Sequence, residues 1–425
     1  MPIQIKKQSG VITIVCFVLI LAIGNASLRF IQNGMSSFFR LISPCIVLGL
    51  LLLNADKYTK LLAAFLLTVS YNIAVSLFFY NYINIEFYVF LAYMFIVLLL
   101  VKTYQIYSEN FENDFFVFLD IVTVITLLLA SVQYFVRIPY PFVRLPAKRG
   151  MNLFMSNENE LAEPLGCMLL IYAYRLIFKK EKSHAWKILA IIAITFINDS
   201  KLTILGYVIG ILGLLLYRNA REQKRSARKL RPRISGMMRT EMVLAVLILG
   251  IASLYIANPF LKFRDYDISI RDLIFQPILN IVRLEKMPGR GGSLVDRTNA
   301  VIFGVRELIS SYFFGIGLGN SVVMLTKPEY TLLTAKSMHN LVFQILTEMG
   351  YLGMYMYYRI FKWFKLNLHN VNCDNSIILK LVFAISFVLI SSQSSIGIMS
   401  NYYTCIVVYY ILLIPSAKID CNLKK

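Results

Sequence analysis

The strongest constraint in this sequence is a series of apolar runs, many of them about as long as a membrane is thick. Such runs recur along the whole 425-residue chain, and 58% of its residues are hydrophobic. A helix needs roughly 20 apolar residues to cross the hydrocarbon core of a bilayer. Within that core, only helices and closed barrels satisfy their backbone polar groups. The runs therefore predict an all-α, polytopic membrane protein with a single integral membrane domain over residues 1–425.

The apolar runs predict about twelve transmembrane helices. Their predicted bounds are 11–31, 38–54, 61–80, 87–102, 115–135, 160–178, 188–198, 202–217, 242–259, 339–361, 377–395 and 396–415. The run at 188–198 would rise only about 16 Å as a helix, so it is short for a crossing of its own. An even number of crossings returns the chain to the side of the membrane on which it starts.

Lysine and arginine are concentrated in every second connection between the runs, as they are in cytoplasmic loops. The lysines in these connections include Lys57, Lys60, Lys179, Lys180, Lys182, Lys187, Lys362 and Lys365. A further nine Lys or Arg residues lie between Arg218 and Arg239, whereas the connection at 81–86 has none. Both termini are therefore predicted to face the cytoplasm. Lys6 and Lys7 precede a first helix without a small-residue cleavage site, which predicts that this helix is retained.

This orientation leaves two large loops on the outer side, at 136–159 and 260–338, and a basic cytoplasmic loop at 218–241. The chain has a net charge of +20. Its positive residues lie between spans rather than on one soluble domain, which argues against nucleic-acid binding. We interpret the basic run at 221–233 as a topology anchor that contacts anionic lipid. The alternative for this run is a docking site for a regulator.

The sequence shows no zinc-binding, disulfide or dinucleotide-binding motif. None of the six cysteines has a CxxC or other metal-ligand spacing, so neither a zinc site nor a disulfide framework is indicated. The segment GIGLGN at 315–320 contains GxGxG but lacks the strand–helix context of a dinucleotide-binding site. We expect this segment to form a turn beneath the membrane surface instead.

The two outer loops carry most of the candidate binding residues. Three prolines argue against a helix before Arg149, and Glu158 falls in the first turn of the next predicted helix. Glu158 is interpreted either as a capping charge or as part of a site. The second loop contains a series of arginines, at Arg271, Arg283, Arg290, Arg297 and Arg306. Arginine is always charged and its forked donors suit phosphate, so these loops are predicted to bind anions.

Of the three histidines, only His339 lies at the outer start of a predicted helix; His184 and His369 lie in predicted cytoplasmic loops. The positive end of the helix dipole and the neighbouring arginines disfavour a further positive charge. The imidazole of His339 is therefore expected to be neutral and able to accept a proton. A lone histidine is more often structural, and that alternative stays open. Our hypothesis is a general base, His339, beside an arginine clamp.

Three local patterns resemble those of the O-antigen ligase and O-antigen or capsular polysaccharide polymerase superfamily of bacterial membrane enzymes. The first is Arg149 and Phe154 followed by Asn157-Glu158-Asn159 and Leu161-Ala162; the second is Ser293, Asp296 and Arg297 followed by Gly315, Gly317 and Gly319; the third is His339-Asn340 followed by Gln344-Ile345-Leu346, Glu348 and Gly350. Asp199-Ser200-Lys201 also falls where the family often has Ser-Arg between two short helices. The overall plan of spans and outer loops is similar as well.

The chain departs from the family pattern at two positions. Glu158 stands where the family usually has proline, which leaves Arg144 as a competitor for the role of partner to Arg149. Lys201 stands where the family has arginine, which keeps the charge but loses the bidentate fork.

The resemblance implies a metal-independent glycosyltransferase without a cofactor, acting on a glycan carried by undecaprenyl pyrophosphate at the outer face of the bacterial inner membrane. Arg149 and Arg297 would hold the pyrophosphate, and His339 would activate the acceptor hydroxyl. The further substrate-binding candidates are Arg290, Arg144, Asn340, Glu348, Lys201 and Glu158. The second outer loop contains one Asp-x-Asp pair, Asp265-Tyr266-Asp267, so the expectation of a metal-independent reaction rests on the resemblance alone. A chain-length regulator and a flippase are the implied protein partners.

Two alternatives remain open at this stage. A polymerase passes the growing glycan to another lipid-linked repeat unit, whereas a ligase passes it to lipid A-core, and both need the same clamp and base. A glycan transporter would instead place charged residues along a path at the membrane midplane. Glu163 and Glu348 are the residues to watch for that alternative. Glu348 could also make a helix–helix hydrogen bond or contact the acceptor sugar.

Overall fold

The structure is a computed structural model that describes residues 55–84, 88, 91, 95, 99, 111–136, 150–153, 158–227, 256–257, 260–263, 266–269, 271–287, 293–325, 338, 340–366 and 376–390. Most of these residues are helical, which agrees with the predicted all-α architecture. The helices are α1 (Ala55–Tyr80), α2 (Phe111–Phe135), α3 (Glu158–Tyr174), α4 (Ala185–Ile197), α5 (Lys201–Ala227), α6 (Gln276–Arg283), α7 (Ser293–Ser310), α8 (Asn320–Met324), α9 (Leu341–Leu366) and α10 (Ser376–Ile390).

Four of the described helices are long and apolar enough to cross a membrane. They lie at Leu62–Tyr80, Asn113–Phe135, Leu161–Lys179 and Leu202–Asn219. These segments match the predicted spans at 61–80, 115–135, 160–178 and 202–217 to within a few residues. The agreement follows from the length of the apolar runs, because a continuous run of this length can satisfy its backbone only as a helix.

The span predicted at 339–361 corresponds to α9, which has 26 residues but is not among the four described helices long and apolar enough to cross a membrane. The other predicted spans are shorter in the structure or lie outside the described residues. The spans at 11–31, 38–54 and 396–415 lie wholly outside them, and those at 87–102 and 242–259 do so almost entirely. The span at 377–395 is described as far as Ile390, where α10 ends.

The region predicted as 188–217 forms two helices of very different length. Helix α4 has 13 residues, which rise about 20 Å, so it is as short as the sequence predicts. After a turn at Asn198–Ser200, α5 runs for 27 residues to Ala227. The helix therefore continues into the basic connection predicted at 218–241, as far as Ala227. Arg, Glu, Gln, Lys and Ala are strong helix formers, and they extend the helix beyond its apolar part.

Helices α5 and α10 pack closely because α5 presents glycine where they meet. A side chain at Gly206 would overlap Ile390, and one at Gly213 would overlap Val382. Gly210 is likewise too close to Leu170 for any side chain. Small residues at such spacing let helices approach closely, which is a common way of joining helices in membranes.

The predicted outer loop at 260–338 is largely a folded, helical segment where the structure describes it. It contains an antiparallel ribbon of β1 (Phe260–Phe263) and β2 (Tyr266–Ser269), then a π-helical turn at Arg271–Phe275. Helices α6, α7 and α8 follow. The arginine of the second family-like pattern, Arg297, thus lies on helix α7 rather than on an irregular loop.

The segment 315–320 forms the predicted turn. Gly315, Gly317 and Gly319 have φ angles of 88°, 89° and 80°. Residues with a Cβ rarely adopt such angles, whereas glycine does so freely. The turn follows α7 and leads into α8, and we call residues 315–319 the glycine turn.

Helix α9 is interrupted at Gly350, where φ is 62° and ψ is −172°. The interruption frees backbone groups that the glycine turn and the residues before it then satisfy. Ile316 N–H donates to Thr347 O at 3.1 Å, and Gly317 N–H donates to Glu348 O at 2.8 Å. In the other direction, the N–H of Tyr351 donates to the carbonyl of Phe313 at 3.1 Å.

Helix α1 fixes the other side of the glycine turn. The Tyr71 hydroxyl donates to the Phe314 carbonyl at 2.7 Å, and the Asn84 side chain donates to the Gly319 carbonyl at 3.4 Å. A side chain at Gly317 would overlap Ser76 of α1. The glycine turn therefore lies between α1 and α9, in contact with both.

We predict that Gly317→Ala destabilises the protein strongly. The left-handed conformation costs about 1–2 kcal/mol for a residue with a Cβ, and overpacking typically adds about 1–3 kcal/mol. The thermal unfolding midpoint in detergent is expected to fall by roughly 5 °C or more. Ser131→Ala on the exposed side of α2 is the control, because its hydroxyl bonds only within its own helix. Equal midpoints for Gly317→Ala and Ser131→Ala would contradict this packing.

Candidate functional site

Helices α3 and α7 bring an acidic and a basic side chain together. Arg297 on α7 is half-buried, and Glu163 on α3 is buried. Burial lowers the pKa of the Arg297 guanidinium, and the negative charge of Glu163 acts in the opposite direction. An arginine stays protonated under such conditions. A positive charge is thus held in a partly apolar setting, with an acidic group from a second helix near it.

Helix α7 also packs directly against the start of α9. A side chain at Gly304 would overlap Met338 and Thr347. Gly304 follows Arg297 by about two helical turns and lies on the same face, since residues at that spacing are stacked along a helix. His339 itself lies outside the described residues, but its neighbour Met338 is fixed against the helix that carries Arg297.

Asn340 caps helix α9. Its side-chain oxygen accepts a hydrogen bond from the Phe343 N–H at 3.1 Å, and its backbone carbonyl accepts one from the Gln344 N–H at 2.8 Å. This is the usual arrangement of an Asn N-cap, which satisfies backbone donors that have no partner within the helix. The structure thus gives Asn340, a predicted substrate-binding residue, a definite role in starting the helix.

Glu348 is completely buried. Its Oε1 accepts hydrogen bonds from Ser321 Oγ at 2.5 Å and from Gln344 Nε2 at 3.0 Å. The bond to Ser321 joins α9 to α8, as the helix–helix alternative predicts. A sugar could reach this carboxyl group only if the glycine turn or α8 moved, because the side chain has no exposed surface.

The residues after Arg149 are held by hydrogen bonds to two helix ends. Asn198, just after α4, accepts from the Met151 N–H and donates to the Met151 carbonyl, both at 2.8 Å. Gln133 near the end of α2 accepts from the Leu153 N–H at 2.8 Å. Residues 150–153 are therefore fixed beside the turn that precedes Lys201.

The structure thus brings described parts of the family-like patterns into two groups. One group joins α3, α7 and the start of α9; the other joins residues 150–153 to the turn before α5. Arg149, Arg144, Arg290 and His339 lie outside the described residues. Glu158 begins α3 and Lys201 begins α5. Among the described residues, no group of three His, Cys, Asp or Glu side chains could hold a metal ion.

A polar cluster that the sequence analysis does not identify joins α2, α3 and α4. Lys187 Nζ donates to both carboxylate oxygens of Asp120, at 2.5 and 2.7 Å, and the Tyr172 hydroxyl donates to the same carboxylate at 2.7 Å. The sequence predicts Lys187 in a connection between spans, but α4 begins at Ala185 and Lys187 is buried within this helix. One signal was present: Asp120 is the only charged residue in the predicted span at 115–135, and an acid inside a span needs a partner.

Next to the Asp120–Lys187 pair, a separate hydrogen-bond network is formed by Arg175, Glu181 and His184. Arg175 binds Glu181 through two nitrogens, at 2.7 and 3.0 Å, and His184 Nε2 lies 2.8 Å from the same carboxylate. The guanidinium of Arg175 also lies 3.6 Å from the ring centre of Phe116. The network closes the connection between α3 and α4, so it has a clear structural role.

The titration of this network follows from its burial. Burial alone would raise the pKa of Glu181, but hydrogen bonds from Arg175 and His184 hold it below its ordinary value. Burial lowers the pKa of His184, and this outweighs the hydrogen bond to Glu181. Nδ1 of His184 is buried and has no hydrogen-bond partner among the described residues. We infer that the neutral ring donates from Nε2, since a proton on Nδ1 would lack an acceptor.

No protein-family model matches this chain, and no curated protein does either. The resemblance to the ligase and polymerase superfamily therefore stands on the three local patterns.

We predict that a double-mutant cycle on Asp120 and Lys187 gives a favourable coupling energy between the two side chains. Removal of one partner of a buried ion pair costs about 3–5 kcal/mol, because the other charge stays buried and unpaired. Lys187 and Asp120 have side chains only 9% and 22% exposed, so solvent screens little of this effect. Lys187→Met and Asp120→Asn should each lower the unfolding midpoint, and the double variant should recover much of the loss. The exposed Lys182→Met is the control, and strictly additive losses would contradict the pairing.

We also predict that, because of His184, the free energy of unfolding decreases on mild acidification. A folded-state pKa below the unfolded value means that the unfolded chain binds the extra proton, so stability decreases as pH falls through about 6.5. One such proton contributes at most about 1.4 kcal/mol per pH unit. Unfolding midpoints between about pH 7.5 and 5.5 should fall more steeply for wild type than for His184→Gln. Lys182→Gln should keep the wild-type slope; equal slopes for wild type and His184→Gln would refute the prediction.

Proposed function

We propose that this protein is a membrane glycosyltransferase that joins repeat units carried on undecaprenyl pyrophosphate, as an O-antigen or surface polysaccharide polymerase. The observation that carries the proposal is the position of Arg297 on α7, which packs against the start of α9 and brings Arg297 close enough to Glu163 of α3 for their charges to interact. It supports a site in which Arg297, Glu163 and the residues on both sides of His339 belong to one part of the fold.

In the proposed reaction, an acceptor sugar hydroxyl attacks the anomeric carbon of the donor glycan. His339 accepts the proton of that hydroxyl, which makes the oxygen a better nucleophile. The bond between the anomeric carbon and the pyrophosphate oxygen breaks, and undecaprenyl pyrophosphate leaves with the electron pair. Arg149 and Arg297 stabilise the charge that develops on this leaving group.

The setting of Arg297 suits this role. A charge interaction is stronger where solvent is partly excluded, and Arg297 is half-buried. Glu163 offsets part of the cost of burying the guanidinium while the site is empty. A bound pyrophosphate carries more negative charge than one carboxylate and would compete well for the same guanidinium.

The proposal places the protein in the bacterial inner membrane as a multi-pass protein, with both termini in the cytoplasm and the site on the outer side. Helices long and apolar enough to cross a membrane support the membrane part of this assignment. A chain-length regulator and a flippase are the proposed partners. Transfer to lipid A-core, the ligase reaction, uses the same residues and differs only in the acceptor.

A glycan transporter is the second candidate function. The observation that favours it is the Asp120–Lys187 pair, because charged residues within a span often mark a transport path. Both oxygens of Asp120 are bonded to Lys187, however, which equally suits a structural pair. Purified protein in detergent separates the two candidates, since a transporter would form no glycosidic bond there.

We predict that purified protein converts a synthetic lipid-linked repeat unit into a ladder of polymers, also in the presence of EDTA. His339→Ala, Arg297→Gln and Arg149→Gln should each lower the initial rate by about 100-fold or more, the usual cost of removing a general base or an electrostatic stabiliser. Lys60→Gln is the control, because it also removes a positive charge and Lys60 lies exposed on α1, outside the predicted site. A folded His339→Ala protein with wild-type rate would rule out the mechanism, and incorporation only into lipid A-core would identify the ligase.

A further inference from the structure

The carboxyl group of Glu348 lies where α9, α8 and the glycine turn meet. Its Oε1 binds Ser321 of α8 and Gln344 of α9. The backbone N–H groups of Gly319 and Ser321 also lie close enough to interact with the carboxyl group. A single buried side chain therefore joins three elements that are far apart in the sequence.

The backbone of α9 at Glu348 makes the same connection a second time. In an uninterrupted helix, the carbonyls of Thr347 and Glu348 would accept hydrogen bonds from residues four positions further on. The interruption at Gly350 prevents this, and Ile316 and Gly317 of the glycine turn donate instead. The side chain and the backbone of Glu348 thus hold the turn together.

The elements that Glu348 holds pack around the residue before His339. Met338 is completely buried in an apolar cluster with Ile316 of the glycine turn and with Met324 and Leu325 at the end of α8. Phe303 of α7, the helix that carries Arg297, also belongs to this cluster. Contacts are thus continuous from the Glu348 carboxyl group, through Ser321 and α8, to Met338.

We propose that Glu348 is a positioning residue for His339. By fixing α8 and the glycine turn, Glu348 fixes the apolar cluster that contains Met338, the residue before His339. Helix α9, which carries Glu348, is capped by Asn340, the residue after His339. The inference rests on the proposed function for the role of His339, but its structural part does not. It replaces the expectation that Glu348 contacts the acceptor sugar, since the carboxyl group is fully buried.

The hydrogen-bond acceptor, rather than the negative charge, is what this role requires. Ser321 and Gln344 both donate to Oε1, whereas Oε2 has no hydrogen-bond partner among the described residues. A glutamine at position 348 would keep the Oε1 acceptor with nearly the same shape. An alanine would remove it and leave two buried donors without their partner.

The test uses full-length protein in detergent and two independent measurements. The first is the rate of carbethoxylation of His339 by diethyl pyrocarbonate, followed by peptide mass spectrometry. The labelling of His184 in the same sample reports any general loss of the fold, because that histidine is buried in the separate network with Glu181 and is accessible only if the protein opens. The second measurement is the initial rate of polymer formation. The variants are Glu348→Ala, Glu348→Gln and Ser321→Ala, with Tyr355→Phe on an exposed part of α9 as control.

We expect Glu348→Ala and Ser321→Ala to change the His339 labelling rate by about twofold or more, the low end of the effects seen for coupled residues. The polymerisation rate should fall by roughly 10- to 100-fold, as expected for a small misplacement of a reacting group. Glu348→Gln should recover most of both losses, and His184 labelling should not change. If Glu348→Ala fails to fold, Ser321→Ala tests the same contact.

Unchanged His339 labelling in folded Glu348→Ala or Ser321→Ala protein would overturn the proposal. So would a Glu348→Gln protein as impaired as Glu348→Ala, because the charge and not the acceptor would then matter. Wild-type protein that forms no polymer would instead contradict the proposed glycosyltransferase function. The labelling result would still decide whether Glu348 positions His339, so the two failures are distinguishable.

Discussion

Helix α9 loses backbone hydrogen bonds of its own at Gly350, and the glycine turn pairs with the backbone groups that this break leaves without a helical partner. An unsatisfied backbone group in an apolar setting costs several kcal/mol, so a break in a buried part of a helix is tolerated only where other protein groups complete it. Ile316 and Gly317 do so here, and only glycine fits the close approach at Gly317. The positions of α1, α8 and the start of α9 all depend on this pairing.

This pairing explains the third family-like pattern in physical terms. Asn340 caps the helix, Gln344 and Glu348 share one buried hydrogen-bond network with α8, and Gly350 allows the break. Four residues of the pattern therefore have structural roles that serve the start of α9, namely Asn340, Gln344, Glu348 and Gly350. Such an arrangement is what a site needs when one side chain must be held in a fixed position by the elements around it.

The two polar regions of the protein differ in kind. The network around Asp120 and Lys187 pairs each of its charges within the protein, and it fastens the short helix α4 to α2 and α3. The region around Arg297 contains a guanidinium that is only half-buried, near one carboxylate from α3. The first arrangement is typical of a structural ion pair, whereas the second leaves capacity to bind an anion. This contrast is the physical reason for proposing function at the second region.

The sequence by itself determined those elements whose secondary structure does not depend on contacts with another part of the chain. Long apolar runs can only be helices in a membrane, and glycines at every second position with no strand before them predicted the turn at 315–320. Local patterns cannot show which distant group satisfies a buried polar atom. The tertiary structure alone therefore decided the Lys187–Asp120 pair, the break at Gly350 and the burial of Glu348. In each case the partner comes from another part of the chain, and packing of the helices, not spacing along the sequence, brings the two together.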